Sequence, residues 1–230
     1  MDVKKIPVII ISYNRLSHVR NMVNWMLEIR QQNIIILDND SSYFPLLDWY
    51  KQIVQDKRVR VLKSDRNYGH RAIVNTELLK YLENSWFVYT DPDLIPFDST
   101  PDDIIEKCYQ ISEKYKCNKV GPSLDIENIP DYYPLKQAVI DHESNFWKEE
   151  NRTEEGDYWA PIDTTFALYR PGTTEIHAEN CIRLNSPYKL QHLGWYYNPN
   201  ISSQEEDYYY NDIIPESTHW SINNKYLRKF

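Results

Sequence analysis

Apolar residues over the first hundred positions come in short dense runs, each stopping at a polar cluster that opens a stretch of helical periodicity. Pro7 to Ser12 is rich in β-branched residues and ends in Ser12-Tyr13-Asn14-Arg15, after which Val19, Met22, Val23 and Met26 recur at helical spacing. Asn33 to Leu37 ends in Asp38-Asn39-Asp40-Ser41-Ser42, with a helix expected from Phe44 to Val54. Arg58 to Leu62 ends in Ser64 to His70, and Ile73, Leu78 and Leu79 give the apolar face of a helix expected over Ala72 to Leu82. Trp86 to Thr90 is the fourth run; unbroken by polar alternation, it fits a strand covered on both faces. It stops at Asp91-Pro92-Asp93 and resumes at Leu94-Ile95-Pro96.

Strands alternating with helices of about a dozen residues imply right-handed crossovers and an α/β fold with a mostly parallel central sheet and helices on both faces. Farther on, Thr100-Pro101-Asp102-Asp103 has the form of a helix start with Thr100 as N-cap, and Ile104, Cys108, Ile111 and Tyr115 supply the buried face. Lys119 to Pro122 is expected as a short strand. Residues 123–158 carry the weakest pattern, a loop and a helix, with Phe146 and Trp147 as core or as stacking surfaces for a sugar. Pro161 to Arg170 is expected as a strand with Asp163 near its start. The segment from His192 through Pro199 then leads into Gln204-Glu205-Glu206-Asp207 and Tyr208-Tyr209-Tyr210. With no repeat, low-complexity tract or linker, residues 1–230 are expected as one domain, 1–122 forming one half and 123–230 the other.

In such sheets ligands bind beyond the carboxyl ends of the strands, where this chain places all four polar clusters. Helices also want Ser, Asp and Asn at their starts, which covers Ser17 and Ser42 but not acids at two strand ends with Arg15, Arg66 and Arg71 nearby. Asp91 and Asp93, stiffened by Pro92, can converge on one hard cation, although Asp-Pro-Asp is also an ordinary turn. His192 is a further candidate for the same cation, or a structural histidine.

Composition narrows the ligand. A formal charge of −8 with no Lys/Arg run argues against nucleic acid. The glycine signatures of nicotinamide enzymes and P-loop NTPases are absent. Three cysteines without metal-ligand spacing fit a reduced, cytoplasmic compartment, and no apolar run reaches the length of a transmembrane segment or secretory leader.

The N-terminal Pro-Val-Ile-Ile-Ile-Ser-Tyr-Asn-Arg, Asp38 after the second strand, Asn67-Tyr68-Gly69 after the third and Asp91-Pro92-Asp93 after the fourth together resemble the GT-A glycosyltransferases, most closely family 2. The resemblance is best over the first hundred residues. It implies a nucleotide-sugar donor, a UDP-sugar first, with Mn²⁺ or Mg²⁺ as cofactor and a glycan or other hydroxyl acceptor. Ser12, Tyr13, Asn14, Arg15 and Asp38 would hold the nucleoside, with Asp38 accepting from the base edge, while Asn67 and Gly69 line the pocket. Asp91 and Asp93 would contact ribose and the metal.

An inverting transfer needs a carboxylate base that is not metal-bound. Asp163 and the cluster Glu205-Glu206-Asp207 qualify, and chain order ranks the cluster first, with Glu206 and Asp207 ahead of Glu205 and Asp163 second. The chain departs from the family pattern downstream, where the usual basic motif is missing. A nucleotidyltransferase of related fold is the enzymatic alternative, although it would need a Gly-rich basic loop after the first strand. A non-catalytic glycan- or nucleotide-binding scaffold is the other.

Overall fold

Strands β1 (Val8–Ser12) and β2 (Ile34–Asp38) are buried at every position, so both faces of the sheet they start must be covered. A computed structural model describing residues 1–198, 200, 201 and 203–212 shows how. Helix α1 (Leu16–Glu28) and α2 (Phe44–Ile53) follow these two strands. Edge strand β3 (Val59–Lys63) is followed by two short helices, α3 (Ala72–Asn75) and α4 (Leu78–Leu82). Strand β4 (Phe87–Thr90) leads into β5 (Leu94–Pro96) and α5 (Ile104–Tyr115). The remainder holds β6 (Lys119–Leu124), α6 (Lys136–Glu143), β7 (Tyr158–Trp159), β8 (Ala167–Tyr169), β9 (Cys181–His192) and α7 (Gln204–Asp212).

The sheet order is β3-β2-β1-β4-β8-β6-β9-β5, with β7 paired to β9. The first four strands run parallel; β8 lies antiparallel between β4 and β6, and β5 runs antiparallel to β9. Alternation along the strands divides the core. Val8, Ile10, Ile34, Ile36 and Val88 pack with α1, α2 and α5. Ile9, Ile11, Ile35, Leu37, Phe87 and Tyr89 face α3 and α4. Each of these buried side chains adds about 1.5–3 kcal/mol of apolar transfer, so truncating Ile10 to alanine should cost about 2–5 kcal/mol.

Three local expectations change. The helix expected over 72–82 breaks at Glu77, which adopts a left-handed φ of 58°, after the Thr76 hydroxyl bonds back to the Ala72 carbonyl at 2.7 Å. Thr100 does not cap α5: its hydroxyl accepts from the Phe97 N–H and donates to the Lys189 carbonyl, and α5 starts at Ile104. Only 167–169 of the expected 161–170 strand pair in the sheet; Asp163 lies in the turn before it. The expected second half runs to Phe230, of which 213–230 lie outside the described residues.

Candidate active site

The C-terminal ends of β1, β2 and β4 open into a cleft of about 500 Å³. Its floor is tied together by groups the sequence had offered as ligands. The Tyr50 hydroxyl bridges Ser12 Oγ at 2.8 Å and Asp38 Oδ1 at 3.0 Å, and Asp38 Oδ2 accepts from the Ser41 N–H at 3.1 Å. Asp38 is 1% exposed and does not line the cleft, and burial raises its pKa. The structure therefore does not bring the Asp38 side chain to the cleft: its oxygens accept hydrogen bonds from Tyr50 and Ser41. Asn14, at a left-handed φ of 49°, likewise turns inward, and its Oδ1 accepts from the N–H groups of Ser42 and Tyr43 at the start of α2.

Ser12, Tyr13, Arg15, Asn67 and Gly69 do line the cleft. Asn39, next to Asp38, lines it too; its Nδ2 donates to Asn67 Oδ1 at 2.6 Å and to the Gly69 carbonyl at 3.1 Å, while its Oδ1 accepts from the Tyr68 N–H. Asn39 is thus the polar residue of the second strand end that faces the cavity.

The other wall is the Asp91-Pro92-Asp93 turn. Asp91 Oδ2 accepts from Thr164 Oγ1 at 2.8 Å. Pairing of β5 with β9 sets Leu94 opposite His192, and the Leu193 N–H bonds the Asp93 carbonyl at 2.8 Å, so His192 Nε2 sits 3.9 Å from Asp93 Oδ2. His192 stacks on Trp195 with centroids 4.8 Å apart. Gly194 permits this arrangement: a Cβ there would stand 2.9 Å from His192 Cε1.

The surroundings push the two carboxyls in opposite directions. Burial, then the Asp93 charge, pushes Asp91 well above the usual carboxylate range. Burial also opposes the Asp93 charge, but His192, His18 and Arg15 outweigh it and hold that carboxyl below its ordinary value. His18 is itself pushed down to about 3, by burial and then by Arg15. Arg15 is 7% exposed, with its guanidinium carbon 4.0 Å from the Tyr209 ring centroid and Nη2 donating to the Tyr210 hydroxyl at 3.3 Å.

Among the described residues, no group of three or more His, Cys, Asp or Glu is assembled to hold a metal ion. Asp93 Oδ1 is nevertheless buried without a hydrogen-bond partner, as is His192 Nδ1. An orphaned carboxylate oxygen beside a second carboxylate suits a hard cation that takes its remaining oxygens from a diphosphate.

A second cavity of about 340 Å³ meets the first at Asp91, Asp163, His177 and His192, and continues past Phe146, Arg183 and Trp195. Phe146 lines it, whereas Trp147 packs against Tyr158. Asp163 is on the shared wall, its side chain 62% exposed, Oδ1 accepting from the Thr164 N–H and 4.0 Å from His177 Nδ1.

The acid cluster lies elsewhere. Glu205 accepts from the N–H and hydroxyl of Ser17 at the start of α1. Glu206 and Ser203 form a reciprocal capping box at the start of α7. Glu205, Glu206 and Asp207 line neither cavity, while Tyr209 and Tyr210 of the same helix line the first. Asn39, His70, Thr164 and His177 are the lining residues that sequence reasoning passed over.

The profile of a sequence family, Glycosyl transferase family 2, matches residues 8–173, a span holding both carboxylates of the turn, Asn67, Gly69 and Asp163. The chain belongs to glycosyl transferase family 2. No curated protein matches it. Among solved structures it is similar to the mannosyltransferase PcManGT from Pyrobaculum calidifontis in complex with GDP-Man and Mn²⁺, at 11% identity and a TM-score of 0.54 over 81% of this chain and 56% of that one. It is also similar to GalNAc-T7 with UDP, GalNAc and Mn²⁺, at 14% identity and a TM-score of 0.52 over 82% of this chain and 43% of that one. This family 2 chain thus spans about half the length of those structures, and the likeness is one of fold, the mixed α/β GT-A architecture. Among its described residues no helix is long and apolar enough to cross a membrane.

Proposed function

We propose that this chain transfers a sugar from a nucleotide-sugar donor, UDP-linked in the first instance, to the hydroxyl of a glycan or similar acceptor, with inversion at the anomeric carbon. The observation that carries the proposal is the junction of two cavities at Asp91 and Asp163. In the donor cleft, Asn67 and Gly69, held in place by Asn39, offer polar edges to a nucleoside, and Arg15 places a permanent positive charge beside Asp93. Mn²⁺ or Mg²⁺ on Asp93 and Asp91 supplies Lewis-acid neutralisation of the diphosphate when bound. His192 lines both cavities, stacked on Trp195 with Nε2 3.9 Å from Asp93 Oδ2, and is a further candidate to hold the same cation. That two solved structures of the same fold hold GDP-Man or UDP with Mn²⁺ supports a nucleotide-sugar donor.

The acceptor occupies the second cavity, whose lining apart from Asp91 comes from residues 124–195. Asp163 faces both cavities and takes the acceptor proton as the oxygen attacks. Its position favours it over Glu206, which is engaged at the start of α7, and over Asp207, which lines neither cavity. Asp163→Asn should lower kcat by about 10²–10⁴-fold, with UDP affinity in Mn²⁺ unchanged. Wild-type turnover in Asp163→Asn together with a loss in Asp207→Asn would return the base to the cluster. Proton NMR of the first product anomer tests inversion.

A further inference from the structure

The one lysine that is fully buried among the described residues lies directly behind this junction. Lys119, at 0% exposure, starts β6, where it is flanked by Tyr169 of β8 and Cys181 of β9. Its ammonium makes three hydrogen bonds, to the carbonyls of Ile162 at 2.8 Å, Asp163 at 2.7 Å and Ile176 at 2.9 Å. An ammonium has three N–H donors, so none remains. A buried cation is costly unless compensated, and here the compensation is three backbone dipoles rather than an ion pair. A leucine or methionine could have filled the volume without that cost.

We propose that Lys119 is a positioning residue that sets the place of Asp163 in the active site; this rests on the assignment of Asp163 as the base. The carbonyls it takes belong to two separate segments. One is the turn carrying Asp163 and Thr164, and Thr164 Oγ1 in turn holds Asp91 Oδ2 at 2.8 Å. The other ends at Ile176, immediately before His177, whose Nδ1 lies 4.0 Å from Asp163 Oδ1. One ammonium therefore fixes the spacing between the two sides of the junction and, through Thr164, its register to the Asp91 turn. Outside β8, residues 161–166 have no ladder to hold them; the Lys119 cradle holds the Ile162 and Asp163 carbonyls, and Arg183 Nε holds that of Pro161.

The test is a double-substitution cycle of Lys119→Met and Asp163→Asn, with the donor chosen from a panel of UDP-, GDP- and CMP-sugars as the one the wild type consumes fastest. Turnover, UDP affinity in Mn²⁺ and the urea midpoint are measured on every variant. Lys119→Met should lower kcat by about 100-fold, the scale expected for a misplaced reacting group, with UDP affinity within about 2-fold of wild type. In the Asp163→Asn background the same substitution should cost less than about 2-fold, because residues acting through one another do not add. A general loosening of the fold would add in both backgrounds. If Lys119→Met does not fold, the cycle is run with Lys119→Gln, which keeps two donors, and the same non-additivity is required. A slow Asp163→Asn together with wild-type or fully additive Lys119 variants overturns the role of Lys119 alone. Wild-type turnover in Asp163→Asn, or no consumption of any panel donor, overturns the reading of the site and this proposal with it.

Discussion

The wall of the second cavity is fastened by a buried ion pair, and removing one of its charges should be felt both in stability and, on the proposed reading, in acceptor binding. Arg183 Nη1 and Glu143 Oε2 are 2.6 Å apart with both side chains 5% exposed; Arg183 Nε donates to the Pro161 carbonyl at 2.8 Å, and the guanidinium carbon lies 4.2 Å from the Phe146 centroid. Glu143→Gln keeps an acceptor oxygen but leaves the arginine charge uncompensated. Breaking a buried pair in this way costs about 3–5 kcal/mol, which at a urea m value of about 3 kcal/mol/M lowers the midpoint by about 1–1.7 M. Joint replacement by Glu143→Leu and Arg183→Met removes both charges and should recover most of that loss. Tryptophan fluorescence in urea reads the midpoints. Because Glu143 ends α6 and Arg183 covers Phe146, the acceptor KM of Glu143→Gln should rise while UDP affinity holds. A midpoint within about 0.3 M of wild type would refute the claim that this pair fastens the wall.

Asp91→Asn should abolish transfer yet stabilise the ligand-free protein at neutral pH. The Asp91 carboxyl is raised by burial and by Asp93, so the folded state binds its proton more tightly than the unfolded state. Its contribution to stability is then present at low pH and lost as pH rises from about 4 toward the raised value. The stability difference between Asp91→Asn and wild type should accordingly grow with pH above about 4, and a pH-independent difference would contradict this. Gly121→Ala should fail to fold or lose more than about 3 kcal/mol, since a Cβ there would lie 2.2 Å from the Phe166 carbonyl oxygen; circular dichroism melts decide it. Gly194→Ala should push the His192 ring and weaken binding of UDP with Mn²⁺ without moving the urea midpoint by as much as Gly121→Ala does.

Strands β1, β2 and β4 were legible because buried parallel strands must be continuous apolar runs and the polar residues at their ends stand out against them, while the edge strand β3 shows only Val59, Val61 and Leu62 among polar residues. Ser12, Arg15, Asn67, Gly69, Asp91 and Asp93 reach the cleft for that reason. Asp38 did not, because a strand-end acid can serve the cavity or the loops beneath it, and Tyr50, twelve residues on, claims it. The later half was harder to read. Strand β9 hides in a polar sequence, its register jumping from Leu184 opposite Pro122 to Lys189 opposite Ser123, so no period of two survives. Asp163 is held by Lys119 from another strand, a contact that has no local sequence signature. The three acids at 205–207 are conspicuous in sequence because they start a helix, and Glu205 and Glu206 are engaged there in the structure.

The central claim, a nucleotide-sugar cleft closed by the Asp91-Pro92-Asp93 turn, is tested most directly by thermal shift of the wild type and Asp93→Ala against nucleoside diphosphates with and without Mn²⁺. A ligand at about 100 times its Kd adds about 2.7 kcal/mol, or about 5–10 °C for a chain of this length. The expected result is a shift of that size for one nucleoside diphosphate with Mn²⁺, lost on chelation and in Asp93→Ala. No shift with any nucleotide, or an equal shift in Asp93→Ala, would contradict the claim.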